Sequence, residues 1–523
     1  MILDATDSFD VTWQDPGDSE ITWIWDETHQ PRPLVPLAQD VYRMFAAEVA
    51  SAQLRIVTVN GYNFVSLQGI ELPELPPEEV GRSPLELWES VYEPRTRELI
   101  EGLQGQDYAA LSTTALADGI EGLILQAGRA LNETMPVIFP LTIATSQFMD
   151  FCGQELGDDG ESLGAVMLQA TENSSAAAGR ELSSLTSLAA ESPELADALR
   201  AGRYDGLESL PNGQHFVREL ERYLEEYGWR AESWYEIDVP TWAEDPSAPL
   251  GLISRYLADP DRTPVAAQQR AAKQRAEAIA EAEARITSPK LRARLGELLA
   301  GASSYVGVKE GRARWQLMAA GVLRIPIMEL GRRFVATGAL RDPDDVLYLY
   351  CADARALARS EFDAALPLVR ERRQAHERWS RLRPPRFIGA PPDDANPPFA
   401  ALARVSGPVP APATDARTVT GTGASAGTVR GRARVIASYD EAYRLEPGDV
   451  LVCRSTAPPW TPLFAVAGAV VTNTGGILSH AGIVAREYAI PCVVGTGDGT
   501  ERIPDGARVR VDGEAGVVSV EEA

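Results

Sequence analysis

A histidine stands at position 480 behind an apolar run, a glycine pair and a serine, in the segment Val471-Thr-Asn-Thr-Gly-Gly-Ile-Leu-Ser-His480. Gly475 and Gly476 permit φ > 0 and close main-chain approach, which a phosphate needs if backbone N–H groups are to reach it. The pattern predicts a strand ending at Thr472, a sharp turn, and a helix over 479–488 capped by Ser479. A histidine at a helix N-terminus feels the positive end of the dipole, which favours neutral imidazole over imidazolium. Neutral imidazole is the nucleophile that attacks phosphorus, and the resulting anion would be held by the same dipole and the free N–H groups. His480 is therefore the candidate catalytic residue. Thr472, Thr474, Gly475, Gly476, Ser479 and Arg486 are the candidate phosphate-binding residues. The competing readings are a purely structural cap for Ser479 and a solvated helical charge for Arg486.

Such a site needs a scaffold of strands. After about Val419 the chain reads as short β-branched runs separated by glycine, at 428–436, 450–452, 469–472, 492–495, 509–511 and 517–520. Residues 38–383 read instead mainly as helices, with Ala/Glu/Arg/Leu tracts such as 263–286 and 291–299 carrying apolar residues at three and four spacing. Within them, 54–67 is rich in β-branched and aromatic residues around Asn60-Gly61, which predicts a tight hairpin. Between Pro384 and Pro412 lie nine prolines, counting both ends, a composition expected to sustain neither helix nor central strand. The expected organisation is a multidomain chain. A large mainly α-helical domain (1–383) leads through a Pro/Ala-rich linker (384–418) to a small β/α domain (419–523).

Composition narrows the function classes. At 45% hydrophobic and 24% charged residues, the 523-residue chain falls in the globular range, and its length exceeds one ordinary core. A net charge of −26 opposes binding to nucleic acid or anionic membranes, both of which need a basic surface. The four cysteines, Cys152, Cys351, Cys453 and Cys492, lack zinc-ligand spacing and read as reduced thiols, consistent with a cytoplasmic location. No metal site is expected in the chain, and neither a secretion signal nor a spanning segment is recognisable.

The run from Thr472 to Gly495 resembles the phosphohistidine, or swivelling, domain of the phosphoenolpyruvate-utilising enzymes. It meets the pattern T-x-x-G-G-x-x-S-H-x-x-I-V-A-R-E-x-x-I-P-x-V-V-G at nearly every position. Gly423-Ala-Ser-Ala-Gly427, Gly431 and Pro447-Gly-Asp-Val-Leu-Val452 match the opening of that domain. The helical region resembles, less sharply, the substrate-binding domain of the same family's antibiotic phosphotransferases. The matching segments are Trp25-Asp-Glu-Thr-His29, Asn60-Gly-Tyr62, Tyr227-Gly-Trp-Arg230, Pro240-Thr-Trp-Ala-Glu-Asp-Pro246, Arg324 with Gly331, and Asp342-Pro-Asp-Asp-Val-Leu-Tyr-Leu349. Family members often carry histidine at the position of Trp229 and arginine at that of Thr241, so the identity of the acceptor does not carry over.

The resemblance implies a phosphotransferase of the dikinase type, in which the phosphoryl group on His480 passes to a small organic acceptor bound by the helical domain. Lys309 and Arg312, one helical turn apart, are candidates to hold the incoming group, with a pair of surface charges as the plainer reading. Trp229 and Arg230 join them as acceptor-site candidates. His29 is a candidate general base, or else a residue that fixes its own entry segment. Trp23, Trp25, Trp234 and Trp242 read as core or pocket wall. The ATP-grasp domain that charges the histidine in this family, and a P-loop, are both unrecognisable here. ATP and Mg2+ are accordingly expected on a separate ATP-grasp subunit, with the linker letting the small domain travel. Two other readings stand beside this one: transient phosphorylation that drives a condensation or dehydration, and a non-catalytic binding or regulatory subunit.

Overall fold

The computed structural model describes residues 9–13, 15–27, 29–49, 55–66, 81–133, 135–157, 159–171, 173–231, 233, 237–361, 365–391, 417–477 and 479–522. Near the N-terminus, β1 (Thr22–Trp25), β2 (Arg55–Val59) and β3 (Tyr62–Ser66) form an antiparallel sheet with β4 (Phe387–Gly389), in the order β2-β3-β1-β4. The predicted hairpin is present, with Asn60 and Gly61 at φ 52° and 76° in its turn. Trp23, Trp25, Tyr62, Phe64 and Ile388 bury one face of the sheet.

The segment from 384 onward, expected to sustain neither helix nor central strand, contributes β4 at the sheet edge, where Phe387 and Ile388 pair with Ile24 and Trp23. Proline excludes itself from the interior of a sheet, whereas three residues between prolines make a short edge strand. The rest of the expected linker, 392–416, lies outside the described residues, as does Trp234.

Helices make up the intervening unit. The tract at 263–286 forms the helix Pro264–Arg285, capped by Thr263. The tract at 291–299 is only the start of a helix running Pro289–Ala336, capped by Ser288. From Arg314 to Leu323 every residue of this long helix is buried, because other helices surround it, so no apolar stripe marks its course in the sequence.

The C-terminal unit is an eight-stranded sheet in the order β5-β12-β11-β7-β8-β9-β10-β6. Its strands are β5 (Thr418–Thr420), β6 (Thr422–Ser425), β7 (Thr428–Val435), β8 (Val450–Cys453), β9 (Ala469–Thr472), β10 (Cys492–Val494), β11 (Arg508–Asp512) and β12 (Val517–Glu522). The centre, β7-β8-β9-β10, is parallel. β8 and β9 are buried at every residue, which suits short Val/Leu/Ala runs covered on both faces. Helix His480–Glu487 follows β9 and packs beside β6 and β10.

The two units share one apolar cluster. Leu182, Phe216, Tyr223 and Tyr256 of the helical unit pack with Leu451, Trp460, Phe464 and Val484 of the C-terminal unit. The Tyr256 hydroxyl donates to the Pro462 carbonyl across this boundary (3.3 Å). The C-terminal unit is thus docked against the helices, with its histidine helix turned inward.

Candidate functional site

His480 is the first residue of its helix and is 8% exposed. Ser479 caps that helix, its hydroxyl accepting the Gly482 N–H (3.3 Å), and Gly475 adopts φ 105° in the turn before it. A Cβ on Gly475 would lie 2.8 Å from that of Ser479, so the turn requires glycine on both conformational and steric grounds. The Gly476 carbonyl accepts the Ser479 N–H (2.9 Å), which closes the turn onto the cap.

Both imidazole nitrogens meet threonine hydroxyls. Nδ1 lies 2.9 Å from Thr456 Oγ1 and Nε2 lies 3.1 Å from Thr461 Oγ1, while Phe464 presents its ring edge-on at 6.0 Å. One nitrogen carries the proton and the other the lone pair, and a hydroxyl serves either. Burial pushes the His480 pKa down to about 4; the Glu310 carboxylate pulls the other way and the Lys309 ammonium adds to the fall. The ring is neutral at physiological pH and keeps a lone pair for nucleophilic attack.

Thr456 and Thr461 were not singled out from the sequence. Thr456 follows β8 and His480 follows β9, and these strands are parallel neighbours. Their carboxyl ends open onto one crevice, the usual ligand position in a parallel sheet. Pairing β8 with β9 in the sequence would have brought Thr456-Ala-Pro-Pro-Trp-Thr461 to the histidine.

Three of the candidate phosphate contacts are used elsewhere. The Thr472 hydroxyl donates to the Thr474 carbonyl (2.8 Å), and the Thr474 hydroxyl donates to the Arg454 carbonyl (3.1 Å). Arg486 is buried, donating from Nη1 to the Ala424 carbonyl (2.6 Å) and from Nη2 to the Ile477 carbonyl (2.7 Å). It clamps β6 and the glycine turn to the histidine helix. In the arrangement seen, all three side chains donate to backbone carbonyls, which need donors where they are removed from water.

The helical unit contributes the other wall. The charges of Lys309 and Glu310, on the long helix, both reach His480. Glu310 also faces Glu487 of the histidine helix, whose carboxyl is pushed up to about 8 by burial first and by Glu310 second. Arg312, one turn on, is half-buried. Arg230 is buried and borders a small cavity with Thr461 and Tyr488. Trp229, an acceptor-site candidate, is partly buried against the helical core, its carbonyl at the Gly321 backbone.

His29 sits on the turn after β1, 34% exposed, with Nδ1 2.7 Å from Asp26 Oδ1, while Asp26 Oδ2 accepts the Tyr42 hydroxyl (2.9 Å). Within that turn Glu27 lies 3.9 Å from Arg454, and the Arg454 guanidinium stands 5.5 Å from the Trp25 ring. Arg454 is two residues before Thr456, so the His29 turn abuts the loop that holds His480. Among the described residues no group of three His, Cys, Asp or Glu side chains is arranged to hold a metal ion, and no helix is long and apolar enough to cross a membrane.

Comparison with known proteins gives this geometry a context. Residues 133–310 match the fourth domain of rifampicin phosphotransferase, and residues 445–516 match the mobile domain of PEP-utilising enzymes. Chondramide synthase of Chondromyces crocatus is 29% identical over 99% of this chain and 14% of its own length. An uncharacterized phosphotransferase of Bacillus subtilis is 28% identical over 75% of the chain and 47% of its own. The rifampicin phosphotransferase of Streptomyces sviceus is 31% identical over 60% of the chain and 36% of its own. The chain therefore spans less than half the length of each of these relatives. Over these segments the chain is similar to PEP-utilising enzymes of the rifampicin phosphotransferase type.

Proposed function

We propose that this chain is the carrier and receiving part of a phosphoryl relay. A separate ATP-grasp subunit, holding ATP and Mg2+, delivers the β-phosphoryl group of ATP to His480. The C-terminal unit then returns to the helical unit, where a small organic acceptor takes the group. In loading, an N–P bond forms at the β-phosphorus as its bond to the α-phosphate oxygen breaks and AMP leaves, while water takes the γ-phosphoryl group as inorganic phosphate. In discharge, an acceptor O–P bond forms, the N–P bond breaks and its electron pair returns to the imidazole. The acceptor proton passes to a base, for which His29, oriented by Asp26, is the candidate.

The observation that carries this reading is the neutral imidazole of His480, buried at the seam between the two units with a threonine on each nitrogen. Phosphoryl transfer needs positioning and charge neutralisation more than covalent help, and Lys309 and Arg230 supply cations beside the seam. Mixing the chain with an ATP-grasp partner, Mg2+ and ATP labelled in the β-phosphoryl group is expected to label His480. An unlabelled chain, with the partner shown to turn over ATP, would count against the relay.

One observation favours a second reading. Nearly the whole chain aligns within a much longer protein named as a synthase. In that reading the acceptor is phosphorylated only to be consumed in a condensation or dehydration. Product analysis separates the two: a stable phosphoester supports simple transfer, and free phosphate with a new bond supports activation.

A further inference from the structure

Arg230 is 7% exposed, and among the described residues its one hydrogen bond runs from Nε to the Tyr227 carbonyl (3.0 Å). No carboxylate among those residues pairs with it. Its guanidinium stands 5.5 Å from the Tyr227 ring and 5.9 Å from the Trp242 ring, and a second cation, Arg314, is near enough to repel it. Arg314 has its own partner in Glu226. A buried cation without an anion is costly, and the fork of donors that Arg230 keeps is the shape that matches phosphate oxygens.

The place where an anion would arrive is a cavity of about 10 Å³ lined by Arg230, Tyr223, Thr461 and Tyr488, among others. It has room for about one water. Thr461 is both a wall of this cavity and the residue on His480 Nε2, whereas Thr456, on Nδ1, does not line it. The sequence Arg230, cavity, Thr461, Nε2 thus crosses the boundary between the units.

Resting on the relay reading above, we propose that Arg230 is the phosphoryl-binding residue of the helical unit and receives the group carried on Nε2 of His480. The Thr461 hydroxyl occupies the place of a phosphoryl oxygen while the histidine is bare, and it turns aside when Nε2 is phosphorylated. The cavity then widens to admit the group, and the arrangement seen is the discharged end of the cycle.

The test uses the full chain phosphorylated with phosphoramidate, a small-molecule phosphoryl donor, as wild type, Arg230→Met and Arg230→Lys. Phosphorus NMR reads the phosphohistidine resonance, and loss of label reads its lifetime. The methionine variant is expected to move the resonance and to shorten the lifetime about tenfold, the size expected for one charge-assisted contact, with lysine restoring part of it. Equal label on His480 with unchanged resonance and lifetime in Arg230→Met overturns the role of Arg230 and leaves the carrier reading intact. Absence of label on His480 in every form overturns the carrier reading and this inference with it. If inorganic phosphate raises the melting temperature of the bare wild type but not of Arg230→Met, Arg230 is a site for free anions, which also overturns the coupling to His480. Arg230→Lys, which keeps a cation at the site, supplies the comparison should the methionine variant fail to fold.

Discussion

At the scale of single residues, the decisive property is the charge state of His480. Its pKa is held near 4 against an ordinary 6.5, so the folded protein favours the neutral ring. The unfolded chain binds a proton below 6.5 and the folded one does not until about 4. This contribution to stability is therefore complete above 6.5 and drains away as pH falls toward 4. It amounts to about 3 kcal/mol at most. His480→Gln cannot take up that proton, so urea unfolding of the two proteins is expected to diverge below pH 6.5, with the wild type losing more. Parallel curves from pH 7 to 4 would show that the ring is not buried as described. The identity of His480 was legible from residue types alone, since glycine, serine and histidine must stand in that order for a capped helix to begin behind a strand. Thr456 and Thr461 were not legible, because they arrive from the neighbouring strand and nothing local marks them.

At the scale of elements, Arg486 explains why the histidine helix keeps its place. Its two guanidinium nitrogens satisfy carbonyls on β6 and on the glycine turn, and Gly482 lets the same helix approach the Ile477 carbonyl. Arg486→Met is expected to leave both acceptors unsatisfied and cost about 2–5 kcal/mol, seen as a lower urea midpoint. Arg486→Lys should recover only part of this, since an ammonium cannot fork to both carbonyls. A residue reserved for phosphate would instead change labelling and leave stability alone. The sequence pattern marked this arginine but not its direction, because a helical residue's partner is set by tertiary packing. The same limit hid the length of Pro289–Ala336, whose buried middle carries no amphipathic stripe. It also hid β4, which exists because β1 has an edge to fill. The strands of the C-terminal sheet were mostly legible, being short β-branched runs between glycines. β6 lacks that signature, with Thr, Gly, Ala and Ser in place of it.

At the scale of the molecule, a C-terminal unit similar to the mobile domain of PEP-utilising enzymes and a helical unit share a chain and an apolar seam, and His480 faces that seam. A buried histidine reaches a nucleotide on another subunit only if the seam opens, so the relay requires the C-terminal unit to leave and return. That requirement could be read from neither unit alone, because it follows from where His480 points. The central claim, that His480 carries the phosphoryl group, is tested most directly by mapping phosphate on the intact chain after exposure to a phosphoryl donor. An acid-labile, base-stable phosphate is expected on His480 and is expected to be absent from His480→Gln. Phosphate on another residue, retained in His480→Gln, would contradict it.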